Sequence, residues 1–211
     1  NVSFSPDGSQ IAFALGGIQT LATVGDGAPV MVLPSDVLPD FDDPDFVFPE
    51  GPIRFFFGAD WSPTGTHWIV NFGYYPEGGG LGLYSLADGT LTDLGEIAPP
   101  GGAVSCCEFR WNADGNSAII VSNILIYGQP GVSRLDLAGP TLTAIAAPGD
   151  TPPFRLFQSA FPSTDGSVLT FMAEAVDLGD HSFYQMVRVA ADGSTMPAGD
   201  FPPFLLLGRE A

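Results

Sequence analysis

Apolar residues in this chain gather in short runs of four or five, and a turn leads into each run. Phe4-Ser5-Pro6-Asp7-Gly8 precedes Ile11 to Ala14, and Trp61-Ser62-Pro63-Thr64-Gly65 precedes Trp68 to Phe72. Trp111-Asn112-Ala113-Asp114-Gly115 precedes Ala118 to Val121, and Phe161-Pro162-Ser163-Thr164-Asp165-Gly166, one residue longer, precedes Val168 to Met172. The turn glycines are 57, 50 and 51 residues apart, the spacing of a repeat architecture. Within the turn, proline presets φ at the second position, a serine or aspartate side chain can accept from a backbone N–H two residues on, and glycine takes up positive φ. Each turn therefore predicts a hairpin between an aromatic-ended strand and the apolar run. The runs are nearly continuous rather than alternating, which predicts strands covered on both faces.

A third and a fourth strand follow in every unit. The first has Thr20 to Val24, a Gly25-Asp26-Gly27 turn and Pro29 to Leu33; the second has Leu81 to Leu86, Ala87-Asp88-Gly89 and Thr90 to Leu94. The third has Val132 to Leu137, Ala138-Gly139-Pro140 and Thr141 to Ile145, and the fourth has Tyr184 to Val189, Ala191-Asp192-Gly193 and a weak Ser194-Thr195-Met196. Four strands per repeat make the blade of a β-propeller. The blades fall roughly at 1–50, 51–100, 101–152 and 153–211, in one all-β domain of about four blades.

These units resemble the Pro-Asp-Gly repeats, WD40-like in layout, of TolB-type β-propellers. That family's units run aromatic, Ser-Pro-Asp-Gly, Ile-Ala-Phe, then Leu-Tyr, an Asp-Gly turn and a last strand. The resemblance covers nearly the whole chain. It departs at the third and fourth turns, where Pro6 has no direct match, and in the first blade, which lacks most of its innermost strand. It implies that the four units belong to a larger ring of six to eight blades, closure as a four-bladed ring being the alternative, and that the protein is exported, periplasmic or secreted.

Charge narrows the possible partners. The 211 residues hold 24 acids against 6 arginines and no lysine, a formal net charge of -18. Nucleic acid and anionic membrane surfaces would meet a like-charged field, whereas cations and basic surfaces would not. Hydrophobic residues make up 45% of the chain, enough for a core, and no run is long enough to span a membrane. Cys106 and Cys107 are adjacent and would point to opposite faces of a strand, which predicts two free thiols. Asn1 is not an initiator methionine and no signal peptide is visible, so a piece of a longer protein is expected.

The Asp-Gly turns should build one plain end of each blade, and the long connections the other. Those connections run over 34–57, 73–80, 95–105, 123–130, 148–157 and 174–182, and long loops on a rigid scaffold are where binding resides. The longest carries Asp36, Asp40, Asp42, Asp43, Asp45 and Glu50 among Phe41, Phe46 and Phe48. Its carboxylates suit Ca²⁺ or a cationic ligand, but the spacing lacks the central glycine and closing Glu of an EF-hand, and a solvated acidic loop is the plainer alternative. Calcium is the one cofactor the sequence suggests. Glu174, Asp177, Asp180 and His181 form a second cluster in which a carboxylate beside a histidine could act as a base or hold a metal, or could simply be a solvated turn. Tyr74, Tyr75 and Tyr127 could stack on a sugar or peptide, or cap the core. No Gly-X-Ser-X-Gly elbow, His-Glu-X-X-His pair or lysine-bearing phosphate loop is present.

The expected function is a non-enzymatic module that binds a protein, peptide or glycan. The alternative is the propeller of a larger hydrolase of the prolyl oligopeptidase type, its catalytic domain lying outside this sequence. A lyase or sugar-binding propeller with acids and His181 lining the channel is a third reading.

Overall fold

The computed structural model describes residues 2–36, 53–75, 78–98, 107–122, 131–146, 154–175 and 181–198. Every regular element among them is a β-strand, and the sixteen strands form four antiparallel four-stranded sheets, each in chain order. The sheets divide between two compact units, residues 1–93 and 94–211, with two blades in each.

In the first unit, blade 1 consists of β1 (Val2–Phe4), β2 (Gln10–Ala14), β3 (Gly17–Ala22) and β4 (Val30–Pro34). Blade 2 consists of β5 (Ile53–Trp61), β6 (His67–Tyr75), β7 (Gly79–Ser85) and β8 (Leu91–Asp93). The inner strand β5 lies across β1, β2 and β3. Ala12 and Ile18 of blade 1 meet Phe56, Ala59, Trp68, Val70, Phe72 and Tyr84 of blade 2 in one buried cluster. Trp68 is fully buried, edge-on to Trp61 at 5.1 Å between ring centres and stacked on Tyr84 at 5.5 Å. The small side chains of blade 1 leave room for this aromatic wall, as close packing requires.

In the second unit, blade 3 consists of β9 (Cys107–Trp111), β10 (Ser117–Ser122), β11 (Gly131–Asp136) and β12 (Thr141–Ala146). Blade 4 consists of β13 (Phe154–Pro162), β14 (Val168–Ala175), β15 (His181–Val189) and β16 (Thr195–Pro197). Here β13 crosses β9, β10 and β11, and Phe157, fully buried, packs with Ile119, Val121, Val132, Val168 and Val187.

The apolar runs expected to be covered on both faces behave so in β10, where all six residues are buried, and over most of β6. In β2 only Ala12 is buried, and the face of blade 1 turned away from blade 2 leaves Val2 and Phe4 59% and 65% exposed. Several strand limits also differ from the sequence reading, and Tyr74, Tyr75, Glu174 and His181, read as connection, belong to β6, β14 and β15. The segments Ile53–Phe57 and Phe154–Phe157, read as loop, belong to β5 and β13, because each pairs with the far end of the next strand: Ile53 opposite Tyr75, Phe154 opposite Ala175. One-residue bulges, after Phe56 and after Gln158, let these nine-residue strands follow the twist. The third strand of blade 1 starts at Gly17 rather than Thr20. Gly17 has φ of 135°, and a Cβ there would run into Leu33 O and fall 2.8 Å from Pro34 Cα, so only glycine lets β3 start directly against β4.

The turns are held by their aspartates. Asp7 Oδ1 accepts from the hydroxyls of Ser5 (2.6 Å) and Ser9 (2.8 Å) and from Ser9 N–H (3.0 Å). Asp88, Asp114, Asp165 and Asp192 each accept from the backbone N–H two residues on. In the first turn of blade 2, Thr64 replaces the aspartate, and Ser62 Oγ accepts from the N–H groups of Thr66 and His67 instead.

Candidate functional site

The long-connection end of blade 2 is where the described residues bring polar chemistry together. Arg54 and Tyr74 face each other across the β5–β6 ladder, on the side of the sheet that also carries Phe56 and Phe72. That alternation carries the Arg54 guanidinium over the aromatic wall, 5.1 Å from the Phe72 ring centre and 5.3 Å from that of Tyr74. One guanidinium nitrogen donates to the Tyr74 hydroxyl at 2.8 Å, and that hydroxyl donates in turn to Asp93 Oδ2 at 3.1 Å. The Arg54 Nε is buried and has no hydrogen-bond partner.

The backbone of Arg54 is tied down as well. Its N–H donates to Asp36 Oδ2 at 2.6 Å, its carbonyl accepts from Asp36 N–H at 2.9 Å, and Ser35 Oγ accepts from Phe56 N–H at 3.0 Å. Segment 35–36 thus continues past β4 to staple the start of β5. Burial pushes the Tyr74 phenol above its ordinary pKa; the bond from Arg54 opposes that shift and the Asp93 carboxylate adds to it. The phenol stays neutral at physiological pH and bridges a fixed cation to a carboxylate. The arrangement offers hydrogen-bond donors and a cation held over aromatic faces.

Of the residues singled out in the sequence, Tyr74 and Tyr75 end β6 at this site, both half-buried. Asp40, Asp42, Asp43, Asp45, Tyr127, Asp177 and Asp180 lie outside the described residues. Glu174 and His181 sit in paired strands at one end of blade 4, Glu174 opposite Phe183 and His181 opposite Ala175. Among the described residues no three His, Cys, Asp or Glu side chains gather as a metal site would require. Arg54 and Asp93 were not singled out, and Asp36, named with the acids of the longest connection, accepts from the Arg54 N–H. The signal for Arg54 was its rarity, one of six cations, within an otherwise apolar Pro52-Ile53-Arg54-Phe55-Phe56 run.

At the turn end of the second unit a cleft of about 340 Å³ opens between the first turns of blades 3 and 4, with Asn112, Asp114, Arg134, Thr164 and Ser167 along its wall. Most of these groups are already committed. Asn112 donates to Ser117, Asp114 accepts from Asn116, Arg134 pairs with Asp136 at 2.9 Å and Ser167 donates to Asp165.

No protein-family model matches the sequence, and no curated protein matches it. Solved structures do. The chain superposes on a protein assigned as TolB from Agrobacterium tumefaciens with a TM-score of 0.52 and 17% identity, over 95% of this chain and 61% of that one. A puromycin hydrolase gives 0.56 and 18%, over 95% and 28%. Prolyl oligopeptidase B from Galerina marginata gives 0.53 and 12%, over 95% and 27%. The chain thus spans under two thirds of the first protein and little more than a quarter of the hydrolases. At these identities the likeness is one of fold.

Proposed function

We propose that this TolB-type β-propeller serves as a non-enzymatic binding module, exported from the cytoplasm, that takes a protein, peptide or glycan on its long-connection end. The observation that carries this reading is the Arg54–Tyr74–Asp93 relay: a cation fixed over two rings, beside Tyr75, at the end of the blade where the connections are long. A rigid sheet that presents a planar cation and aromatic faces suits ligands with acidic or hydroxyl groups and flat apolar surfaces. The acids at 40, 42, 43 and 45 are candidates for cationic groups or Ca²⁺ in the first unit, Glu174, Asp177, Asp180 and His181 are a separate candidate set in the second, and Tyr127 is a candidate for stacking there.

The test is binding by the full chain to glycan and peptide arrays, repeated with Tyr75→Ala, Tyr127→Ala and a variant carrying Asn at 40, 42, 43 and 45. Loss of signal in these variants, with Asp192→Asn at the opposite end unchanged, supports the reading. Array ligands that bind all variants equally would move the site off this end.

A second reading is that the chain is the propeller of a larger hydrolase. It is favoured by the superposition on the puromycin hydrolase and prolyl oligopeptidase chains, of which it covers only 28% and 27%. The coding sequence flanking these residues decides it. A catalytic domain of hydrolase size on either side supports this reading, and the lack of one ends it.

A further inference from the structure

The two units join their blades in the same way but differ where the first turns meet. Turns that close with the same backbone bonds can be matched residue for residue. Blades 1 and 3 match through Ser5 N–H to Gln10 O and Asn112 N–H to Ser117 O, and blades 2 and 4 through Gly65 N–H to Ser62 O and Gly166 N–H to Ser163 O. Pro6 of blade 1 then stands where Ala113 stands in blade 3, and Gly65 of blade 2 where Gly166 stands in blade 4. Two residues past the closing bond, Ala12 pairs with Thr20 and Ile119 with Arg134, so Thr20 and Arg134 match as well.

In the first unit the turns touch. The Pro6 ring lies 3.6 Å from the place a Cβ on Gly65 would take. In the second unit the same place on Gly166 has nothing within 4 Å, because Ala113 lacks the ring, and the cleft of about 340 Å³ opens there with Arg134 on its wall in the position of Thr20. The groups left over on that wall carry both signs. Arg134 gives its Nε to Asp136 at 2.9 Å, and among the described residues the far nitrogens of its fork have no partner. Asp114 accepts from Asn116 N–H through Oδ1, which leaves Oδ2 to a ligand. Ile119 and Pro162 add apolar lining.

We propose that this cleft binds a small zwitterion, an amino acid or dipeptide with an apolar side chain, its carboxylate on the Arg134 guanidinium and its ammonium on Asp114. The site is at the turn end, away from the long connections, and does not rest on binding at that other end. Charge selects the class. An anion would meet the field of a chain with a net charge of -18, which a ligand of zero net charge escapes, and a simple cation would meet Arg134. Among the described residues along the cleft none is aromatic, so a sugar ring would find no face to stack on. The volume suits a compact ligand, since it falls near the lower end of the roughly 300–1,000 Å³ of small-molecule sites.

Titration calorimetry and amide chemical shifts of the full chain test this, with the dipeptide Gly-Leu as probe. Gly-Leu should saturate with a Kd on the order of 1 mM or tighter and shift the amides of Asn116 and Gly166. N-acetyl-Gly-Leu, which lacks the ammonium, and Gly-Leu amide, which lacks the carboxylate, should each bind at least about tenfold more weakly. Ala113→Pro supplies the ring that Pro6 gives the first unit, at a turn position that holds proline in blades 1 and 2, and Arg134→Thr supplies the residue of blade 1. Each should weaken Gly-Leu binding about tenfold or more while the circular dichroism stays that of the wild type, and either one decides the matter if the other folds poorly. No saturation up to about 10 mM, equal affinity for free and blocked dipeptides, or wild-type affinity in either variant with intact circular dichroism would overturn the proposal. Tighter binding of the acetylated than of the free dipeptide would overturn it too, and would assign the cleft to an anion.

Discussion

Asp7 does more for its turn than Pro6. The proline recurs only at Pro63, while the aspartate staple recurs at Asp88, Asp114, Asp165 and Asp192, in turns that lack proline at that position. The hydroxyl of Ser5, followed by the N–H and hydroxyl of Ser9, lowers the Asp7 pKa to about 2, and similar donors at residues 90, 167 and 194 hold Asp88, Asp165 and Asp192 below the usual carboxylate range. A depressed folded-state pKa contributes stability that is present above the unfolded value of 3.8 and lost as pH falls through the folded one. The urea-midpoint advantage of the wild type over Asp7→Asn should therefore shrink from about pH 4 toward pH 2; an advantage that stays constant across this range would remove the staple as a source of stability. Tyr74→Phe is a separate case, since it deletes the bridge between Arg54 and Asp93 but keeps the ring under the guanidinium. Partial exposure screens both charges, so a loss of about 1 kcal/mol is expected in urea unfolding, with the arginine–ring contact retained. The staple was legible in the sequence because its partners are two residues apart. The relay was not, because its bonds span 20 and 19 residues and depend on which face of β5 the arginine takes.

Strand order and pairing were legible in every blade, because turn chemistry and apolar runs are local signals that agree. The inner ends of β5 and β13 were not: Ile53 and Phe154 follow prolines and read as loop until Tyr75 and Ala175 are seen opposite them. Of the candidate site residues that are described, Tyr74, Tyr75, Glu174 and His181 were read as connection, and the structure pairs them at strand ends. The inner strands also concentrate the packing energy. Phe157 is fully buried in the core of the second unit, and Phe157→Ala should cost about 3–5 kcal/mol, most of it from the cavity left among Ile119, Val121 and Val187. Chemical denaturation followed by circular dichroism measures this, and a loss under about 1 kcal/mol would mean that the seat collapses to fill the space. Gly17→Ala tests the other unit. It forces a side chain into a φ of 135° and against Pro34, and should cost about 2–3 kcal/mol in the same assay without changing strand content.

For the chain as a whole, the excess of acid is an energetic load. A net charge of -18 repels itself most strongly in the compact state, so added salt should relieve more strain than it removes support. Among the described residues, the ion pairs that salt could weaken are exposed. The ion pairs Arg134–Asp136 and Arg188–Asp165 are both well exposed, with side chains 47% and 39%, and 46% and 61%, accessible, and pairs of that kind contribute about 0–1 kcal/mol each. The aspartate staples draw on neutral N–H and hydroxyl donors within one turn, a distance over which mobile ions cannot intervene. Raising NaCl from about 0.1 M to about 1 M shortens the screening length from roughly 10 Å to roughly 3 Å, which removes repulsion between carboxylates on neighbouring turns and leaves the staples intact. The thermal midpoint should rise with salt, with most of the gain below about 0.5 M as screening saturates. A midpoint that falls over this range would mean that the few arginines, Arg54 foremost, hold the fold together by attraction that outweighs the repulsion of the acids.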